Sequence, residues 1–443
     1  MKLRWLNMLI KKIKNIEPQD IDKTNTSLST YFLLATSSNE ASLTKAYNTN
    51  DLTGQLVGLK LNKQLAKEFS PEKFIEKTLI HFEEKIDEKK HVDIVKSIYF
   101  TNDKLPHLTP LMYLSNPKID SKTKKAFSLF AQMLQPAETT TSETQQLNFI
   151  EKDIFDLFNT YTKDKKHDID TSSYLGFLDE VFTQDFNYLL ANQHYFHTQI
   201  DRFLKFYMFS YTAQLALNIH DNTIEKPSSQ KVYFILNHEK ASSERKNLTN
   251  HGYKLLAAKV RNLFPYLSLL ENISTVIEDK TLKYFHFKDI KLSVDNVKVI
   301  DELRRSYRQV KSMVPDSTIS STIEDALNNL LNATVEQFRT DKKAVLDRFL
   351  NAFENQIAQF FFQVRGRSGK VLVIDQDTIL LLTNLSIADK PHLRFQDLII
   401  EFQRRGVYFD AKSQDVLLEL FERVGNIDRK SDSGDAVYVK STI

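Results

Sequence analysis

The chain has 443 residues, of which 41% are hydrophobic and 26% charged, an ordinary composition for a soluble globular protein with two or three domains. Its formal net charge is +3, so any patch for nucleic acid must be local. There is no cysteine, which excludes disulfides, thiolate zinc sites and thiol catalysis. Only nine glycines are present, which argues against glycine-rich phosphate loops and favours a mainly α protein.

The first fourteen residues form a basic amphipathic segment. Leu3, Leu6, Ile10 and Ile13 share one helical face, and no acidic residue precedes Glu17. The apolar stretch is too short for a signal peptide and lacks a small-residue cleavage site. Three interpretations stay open: a helix that docks on this protein or a partner, a helix at a membrane surface, and an arm that contacts phosphates.

Two helical domains are predicted before the C-terminal part of the chain. Residues 1–134 mix helical patterns with proline-punctuated turns, and residues 148–364 read as one helix after another. The polar, threonine-rich stretch 136–146 between them is expected to be a linker. A densely aromatic helix over 195–219 contains too many polar residues to span a membrane and is expected to lie in the core. Apolar residues repeat from Val345 to Val364, which predicts a long amphipathic helix.

The clearest pattern lies in residues 371–443, which we predict to form a winged helix-turn-helix domain. Apolar positions 395, 398, 399 and 402 predict one helix, and positions 416, 417, 420, 421 and 424 predict the next. Asp410 is expected to cap the second helix, and Gly425 to end it.

The wing and its neighbours follow from shorter patterns. Residues 427–430 and 436–440 flank a Ser-Asp-Ser-Gly turn, which predicts a β-hairpin. A helix over 378–387 is expected before the two helices, and the strand 371–374 is expected to pair with the wing.

Cations and amides around this module are candidates for holding a macromolecule. In a winged helix that reads DNA, the start of the second helix enters the major groove, and wing cations meet phosphates. Asp415, Glu419 and Glu422 oppose this reading, and residues 390–443 hold nine lysines and arginines against nine acidic residues. DNA contact, protein docking and a merely solvated face all stay open. The candidate DNA- or partner-binding residues are Arg365, Arg367, Lys370, Arg404, Arg405, Lys412, Ser413, Gln414, Arg429, Lys430 and Lys440.

The segment Arg365–Lys370 is expected to separate the helical body from the C-terminal module. It is not a nucleotide-binding loop, since it lacks the full glycine spacing, a Ser or Thr after the lysine and a following helix. Its three cations without an acid leave two interpretations: a clamp on a backbone phosphate, or a solvated linker.

No catalytic constellation is evident. His194, His197 and Asp201 have helical spacing that suits a metal, but no ligand on a second helix is identifiable, so ordinary structural histidines are expected. Glu83-Glu84-Lys85 lies mid-helix without the second acid that a nuclease site needs. Nucleophile-elbow and zinc-protease motifs are absent from the sequence. We therefore expect neither an enzyme nor a resident cofactor or metal.

Two runs near the end of the sequence resemble the DptG family. They are Glu401–Asp410 (EFQRRGVYFD) and Lys430–Lys440 (KSDSGDAVYVK), and together they cover only the last tenth to sixth of the chain. The resemblance implies a non-enzymatic component of bacterial phosphorothioation-dependent restriction, which attacks DNA that lacks a sulfur mark in its backbone. It also implies two companions, DptF and DptH, that hold the ATP-driven functions. No catalytic residues are carried over from this family.

Together these observations predict a cytoplasmic, non-catalytic scaffold or DNA-contacting subunit of an anti-phage restriction complex. Its partners would be DptF-like and DptH-like ATPase components, with DNA contacted directly or through the complex and without stable membrane insertion. The alternative is a stand-alone winged-helix DNA-binding regulator.

Overall fold

The computed structural model describes residues 47–85, 89–115, 120–134, 147–165, 173–219, 227–240, 245–277, 297–429 and 437–443. The predicted N-terminal amphipathic segment, the linker 136–146, the wing turn and Lys430 lie outside these residues. Within them the protein has fifteen α-helices and eight short strands, which confirms the predicted mainly α class.

The chain divides into two compact units whose limits differ from the predicted domains. The first unit comprises residues 47–171 and 179–205, and the second comprises 172–178 and 206–443. Two helices, α6 (Gly176–Ala191) and α7 (Gln193–Asn218), contribute residues to both units. Local composition located a polar stretch at 136–146, but it does not reveal which distant segments pack together.

The first unit is built on helices and one small sheet. Its remaining helices are α1 (Thr49–Leu61), α2 (Pro71–Lys85), α3 (Lys89–Tyr99), α4 (Ser121–Met133) and α5 (Phe149–Asn159), and its strands are β1 (Lys63–Leu65) and β2 (Thr162–Asp164). The strands pair antiparallel and so join parts of the chain on either side of the predicted linker. Phe74 and Phe158, whose rings meet edge to face at 5.8 Å, lie in the apolar core.

The second unit contains the remaining elements. Its helices are α8 (Lys246–Asn250), α9 (Tyr253–Ile277), α10 (Val297–Val310), α11 (Ile323–Asp341), α12 (Lys343–Ala352), α13 (Gln376–Ile387), α14 (Phe395–Arg404) and α15 (Ala411–Val424). Its strands are β3 (Ile235–Leu236), β4 (Phe362–Val364), β5 (Lys370–Ile374), β6 (Leu393–Arg394), β7 (Ile427–Arg429) and β8 (Val437–Val439). We call residues 206–374 the body and residues 376–443 the C-terminal module.

The predicted long helix from Val345 to Val364 is wrong in its second half. After α12 the chain forms a π-helical turn and a 3-10 turn, and then enters β4. The apolar pattern continues through these changes because Phe353, Ile357 and Phe361 all stay buried. Phe353 and Phe361 both pack on Phe209 of α7, with ring centroids 6.0 and 4.6 Å away.

The aromatic helix predicted over 195–219 is confirmed as α7, and every residue from Phe206 to Asn218 is buried. Across the described residues, no helix combines the length and apolar character needed to cross a bilayer.

The C-terminal module follows the predicted order of elements, with one error in strand pairing. The helices α13, α14 and α15 lie where they were expected. Asp410 caps α15 by accepting a hydrogen bond from the Ser413 amide at 3.0 Å, and Gly425 ends it in the left-handed conformation. Strand β8 pairs antiparallel with β6 and β7.

The error is that the strand 371–374 does not pair with the wing. As part of β5 it pairs antiparallel with β4 and parallel with β3, both of which belong to the body. Strand β8 of the predicted hairpin pairs instead with the two-residue strand β6, which is too short to show an alternating pattern in the sequence.

A tyrosine in the first unit contacts two histidine rings. Tyr113 is 5% exposed, and its ring stacks on His107 with centroids 4.0 Å apart and on His197 with centroids 5.6 Å apart. Burial lowers the pKa of His107 to about 4, with a further contribution from His197, and burial also lowers the pKa of His197. The folded unit therefore favours both rings in the neutral state.

This stack predicts a pH-dependent stability. Between the unfolded histidine pKa of about 6.5 and the folded value, the unfolded chain binds more protons, so stability falls as the pH falls through this window. We expect the free energy of unfolding in urea to fall between pH 7.5 and pH 5.5 by about 1 kcal/mol more in the wild type than in His107→Leu. His91→Leu, which alters an exposed histidine, is the control and should behave like the wild type. An unchanged pH dependence in His107→Leu would contradict the assignment.

Candidate macromolecule-binding surfaces

One face of the buried part of α7 carries a row of polar side chains. Ser210, Gln214 and Asn218 are spaced by four residues, so they lie on the same side of the helix. The Ser210 hydroxyl donates to the backbone carbonyl of Arg405 at 2.6 Å. The Gln214 side-chain amide bonds both the carbonyl and the amide of the Gln230 backbone. Asn218 does the same for the backbone of Ser228. These side chains hold two backbone segments that side-chain packing alone would leave unsatisfied.

The turn between α14 and α15 is built into the body. Gly406 adopts φ +81°, and a Cβ there would lie 2.8 Å from the Gln214 Nε2 and 3.1 Å from the Ser210 Oγ. Only glycine adopts this positive φ readily and also leaves the space beside α7 free of a Cβ. Two residues on, the amide and carbonyl of Tyr408 bond the carbonyl of Val232 and the amide of Phe234, at 3.1 and 2.9 Å. The connection therefore behaves as an added strand segment of the body.

A buried charge cluster then fixes the start of α15. Arg245 binds Asp410 through two guanidinium nitrogens, one of them 2.8 Å from Oδ2, and also pairs with Glu239. The Ser413 hydroxyl lies 2.7 Å from the Arg245 Nη2 and 2.9 Å from a Glu239 oxygen. The exposed fractions of the Arg245, Glu239 and Asp410 side chains are 8%, 3% and 12%. We call these four residues the Arg245 cluster.

The pKa of Asp410 reflects this arrangement. Burial alone would raise it, but the hydrogen bonds from Arg245 and from the Ser413 amide outweigh burial and hold the pKa below its usual value. Asp410 is therefore ionised at neutral pH and serves both as the cap of α15 and as a partner of Arg245.

These contacts correct the predicted major-groove residues. Ser413 is fully buried inside the Arg245 cluster, so its prediction as a binding residue is wrong. Gln414 is half-buried and donates to the Phe409 carbonyl at 3.0 Å, while Lys412 is exposed. Of the three, only Lys412 projects into solvent.

The outer face of α15 is mixed in charge. Its exposed ionisable residues are Lys412, Asp415, Glu419, Glu422 and Arg423. Three acids against two cations make a poor surface for the phosphate lattice of DNA.

The arginines at the end of α14 have structural roles. Arg405 is 2% exposed and donates to the side chain and the carbonyl of Glu401 at 2.8 and 2.9 Å, so its prediction as a binding residue is wrong. Arg404 pairs with the same carboxylate at 3.0 Å but stays partly exposed. Burial would raise the pKa of Glu401, and its hydrogen bonds to the two arginines instead hold it below the usual value.

The segment predicted as a linker, Arg365–Lys370, is the turn of the β4–β5 hairpin. The Arg365 amide donates to the Gly369 carbonyl at 2.7 Å, and Gly366 and Gly369 have φ of +45° and +69°. A Cβ built on either glycine meets nothing within 4 Å, so the turn projects into open space. We call residues 365–369 the hairpin tip.

The three cations of this segment differ in their surroundings. The Lys370 ammonium lies 2.7 Å from Glu354 and over the rings of Tyr253 and Phe362, so its charge is already compensated. Arg365 donates from one guanidinium nitrogen to the Asn237 carbonyl. Arg367 is exposed at the tip.

The sheet formed by β6, β7 and β8 carries residues that the sequence patterns missed. Arg394 is paired in register with Tyr438, and its guanidinium lies 5.9 Å from the ring. The ring of His392 meets the same tyrosine edge-on at 4.8 Å. The exposed Lys440 is 3.0 Å from Asp428. Alternation along β6 and β8 was the available signal for Arg394 and Tyr438, but β6 spans only two residues. The side chain of Arg429 and all of Lys430 lie outside the described residues.

The histidine and aspartate of the aromatic helix have other partners. Asp201 accepts from the Thr49 hydroxyl at 2.7 Å and pairs with Lys205 at 2.5 Å, while His197 contacts Tyr113. Throughout the described ranges, no three histidine or carboxylate side chains are grouped so as to hold a metal ion. No family model matches the chain, and no curated protein matches it.

The Arg245 cluster predicts a large loss of stability when its arginine is removed. Arg245→Met leaves two buried carboxylates without a counter-charge and should lower the free energy of unfolding by about 3 kcal/mol. Arg261→Met is the matched control, because Arg261 and Asp347 form a pair with side chains 38% and 48% exposed, and should cost less than about 1 kcal/mol. Urea unfolding measures both. Equal losses in the two variants would contradict the structural role of the cluster.

Proposed function

We propose that this protein is a non-catalytic scaffold subunit of a cytoplasmic, phosphorothioation-dependent restriction complex. In this role it contacts DNA and positions DptF-like and DptH-like ATPase components on unmodified DNA. The two C-terminal runs that resemble DptG support the assignment to this system. The C-terminal module would act as a winged helix, and the order α13, β6, α14, α15, β7, β8 with β8 between β6 and β7 supports that reading.

The observation that carries the scaffold role is the attachment of the α14–α15 turn to the body. A winged helix that reads bases inserts the beginning of its second helix into the major groove. Here that end is occupied by the Arg245 cluster and by the pairing of Tyr408 with the body, and the outer face of α15 has an acidic excess. The accessible face of α15 is thus better suited to a protein than to DNA.

The alternative, a stand-alone winged-helix regulator, draws support from the same order of elements. It requires that the start of α15 be open to base edges, and Ser413 is fully buried. It also leaves the large helical body without a purpose beyond dimerisation.

The test uses full-length protein with point substitutions, because deleting residues 370–443 would remove β5, which pairs with both β3 and β4. The variant Asp415→Lys/Glu419→Lys reverses two exposed charges on α15, and Glu302→Lys/Asp341→Lys reverses two exposed charges elsewhere in the second unit. Each protein is co-expressed with the DptF-like and DptH-like ATPases and captured by a tag.

We expect the α15 variant to retain less than about one tenth of the captured ATPases, because a charge reversal within an interface costs several kcal/mol. The control variant should capture as much as the wild type. Failure of the wild type to capture either ATPase would refute the scaffold role. A sequence-specific, high-affinity complex of the protein alone with one duplex would favour the regulator.

A further inference from the structure

We infer that the hairpin tip, together with the turn that follows β3, forms a contact for the phosphate backbone of DNA. The inference rests on the proposed function and names the surface that would touch the nucleic acid. It assigns this contact to the body, and not to the second helix of the C-terminal module.

Two separate parts of the chain meet at this surface. The hydrogen bond from the Arg365 guanidinium to the Asn237 carbonyl brings the turn at residues 237–240 against the hairpin tip. Asn237, His238 and Lys240 are all exposed there. The sequence patterns identified only the segment 365–370, because Arg365 and Asn237 lie 128 positions apart and local patterns do not indicate that they touch.

The surface is positively charged. Within the described part of the chain, neither Arg367 nor Lys240 has a hydrogen-bond or ion-pair partner. Arg365 is bound to a neutral carbonyl, so its positive charge is not compensated by that contact. The surface therefore presents three cations whose charges remain available to an anion.

Among the residues that the structure describes, the acids nearest along the chain are already engaged. Glu239 is 5% exposed and belongs to the Arg245 cluster, and Glu354 is paired with Lys370. Asp375, directly after β5, caps α13 by accepting from the Thr378 amide at 2.7 Å. This differs from the outer face of α15, where acids outnumber cations.

The shape and the side chains of the tip suit a phosphate backbone. The two glycines with positive φ allow a tight turn with open space around it, so a DNA backbone can approach without a clash. Arginine offers a planar fork of donors that suits phosphate oxygens, and Ser368 beside it adds an exposed hydroxyl. Such contacts position a duplex and carry no base specificity.

The experiment measures the binding of full-length protein to short fluorescein-labelled duplexes of three unrelated sequences, by anisotropy over a range of salt concentrations. Arg367→Ala/Lys240→Ala should weaken binding at least five-fold at about 0.1 M salt, to the same extent on every sequence. The slope of log K against log salt should fall by about 0.9 for each lost contact. All substituted residues are exposed, so thermal unfolding should match the wild type.

The double variant Lys412→Ala/Arg394→Ala is the matched control, because it also removes two exposed cations, one from α15 and one from β6. It should change the affinity less than two-fold. The inference is overturned if the tip variant binds like the wild type, if the control loses as much as the tip variant, or if the wild type does not bind DNA at low salt.

A membrane surface is the other polyanion that this surface could meet. The inference is also overturned if the tip substitutions weaken binding to phosphatidylserine vesicles but leave DNA binding unchanged. These outcomes are separate from capture of the ATPases, so a loss of the DNA assignment leaves the scaffold role to its own test.

Discussion

The structure of the second unit depends on the contact between Gly406 and the polar face of α7. Gly406 places the α14–α15 turn close enough for Ser210 to bind the carbonyl of Arg405. From that point the chain runs beside residues 232–234 and delivers Asp410 to Arg245. One close approach of backbone to helix thus determines where α15 begins and which of its faces is exposed.

This contact decides which functions the C-terminal module can support. The buried Arg245 cluster carries two carboxylates for one guanidinium, so separating α15 from the body would break the ion pair between Arg245 and Asp410. A helix held in this way exposes its outer face and does not offer its first turn to a groove. The tail strengthens the arrangement, because Ser441 and Thr442 bond the buried Asn384 of α13.

The sequence predicted the local elements of the module well. Periodic apolar residues defined α14 and α15, and the capping role of Asp410 and the end at Gly425 followed from side-chain chemistry. Ser413 and Arg405 were chosen as polar residues at suitable helical positions, but their contacts make them structural. The partner of Ser413, Glu239, lies 174 positions away and could not be foreseen from local sequence. The partner of Arg405, Glu401, lies one helical turn away, so this pair was a local signal that the patterns overlooked. The pairing of β5 with β3 depends on residues more than a hundred positions apart, which local periodicity cannot reveal.

The most direct test compares Gly406→Ala with Gly425→Ala in urea unfolding. Both glycines have φ +81°, but a Cβ at Gly425 meets nothing within 4 Å, whereas one at Gly406 meets Gln214 and Ser210. Backbone strain alone should cost each variant about 1 kcal/mol, and the collision with α7 should cost Gly406→Ala at least about 2 kcal/mol more. Equal losses in the two variants would contradict the attachment of the module to the body.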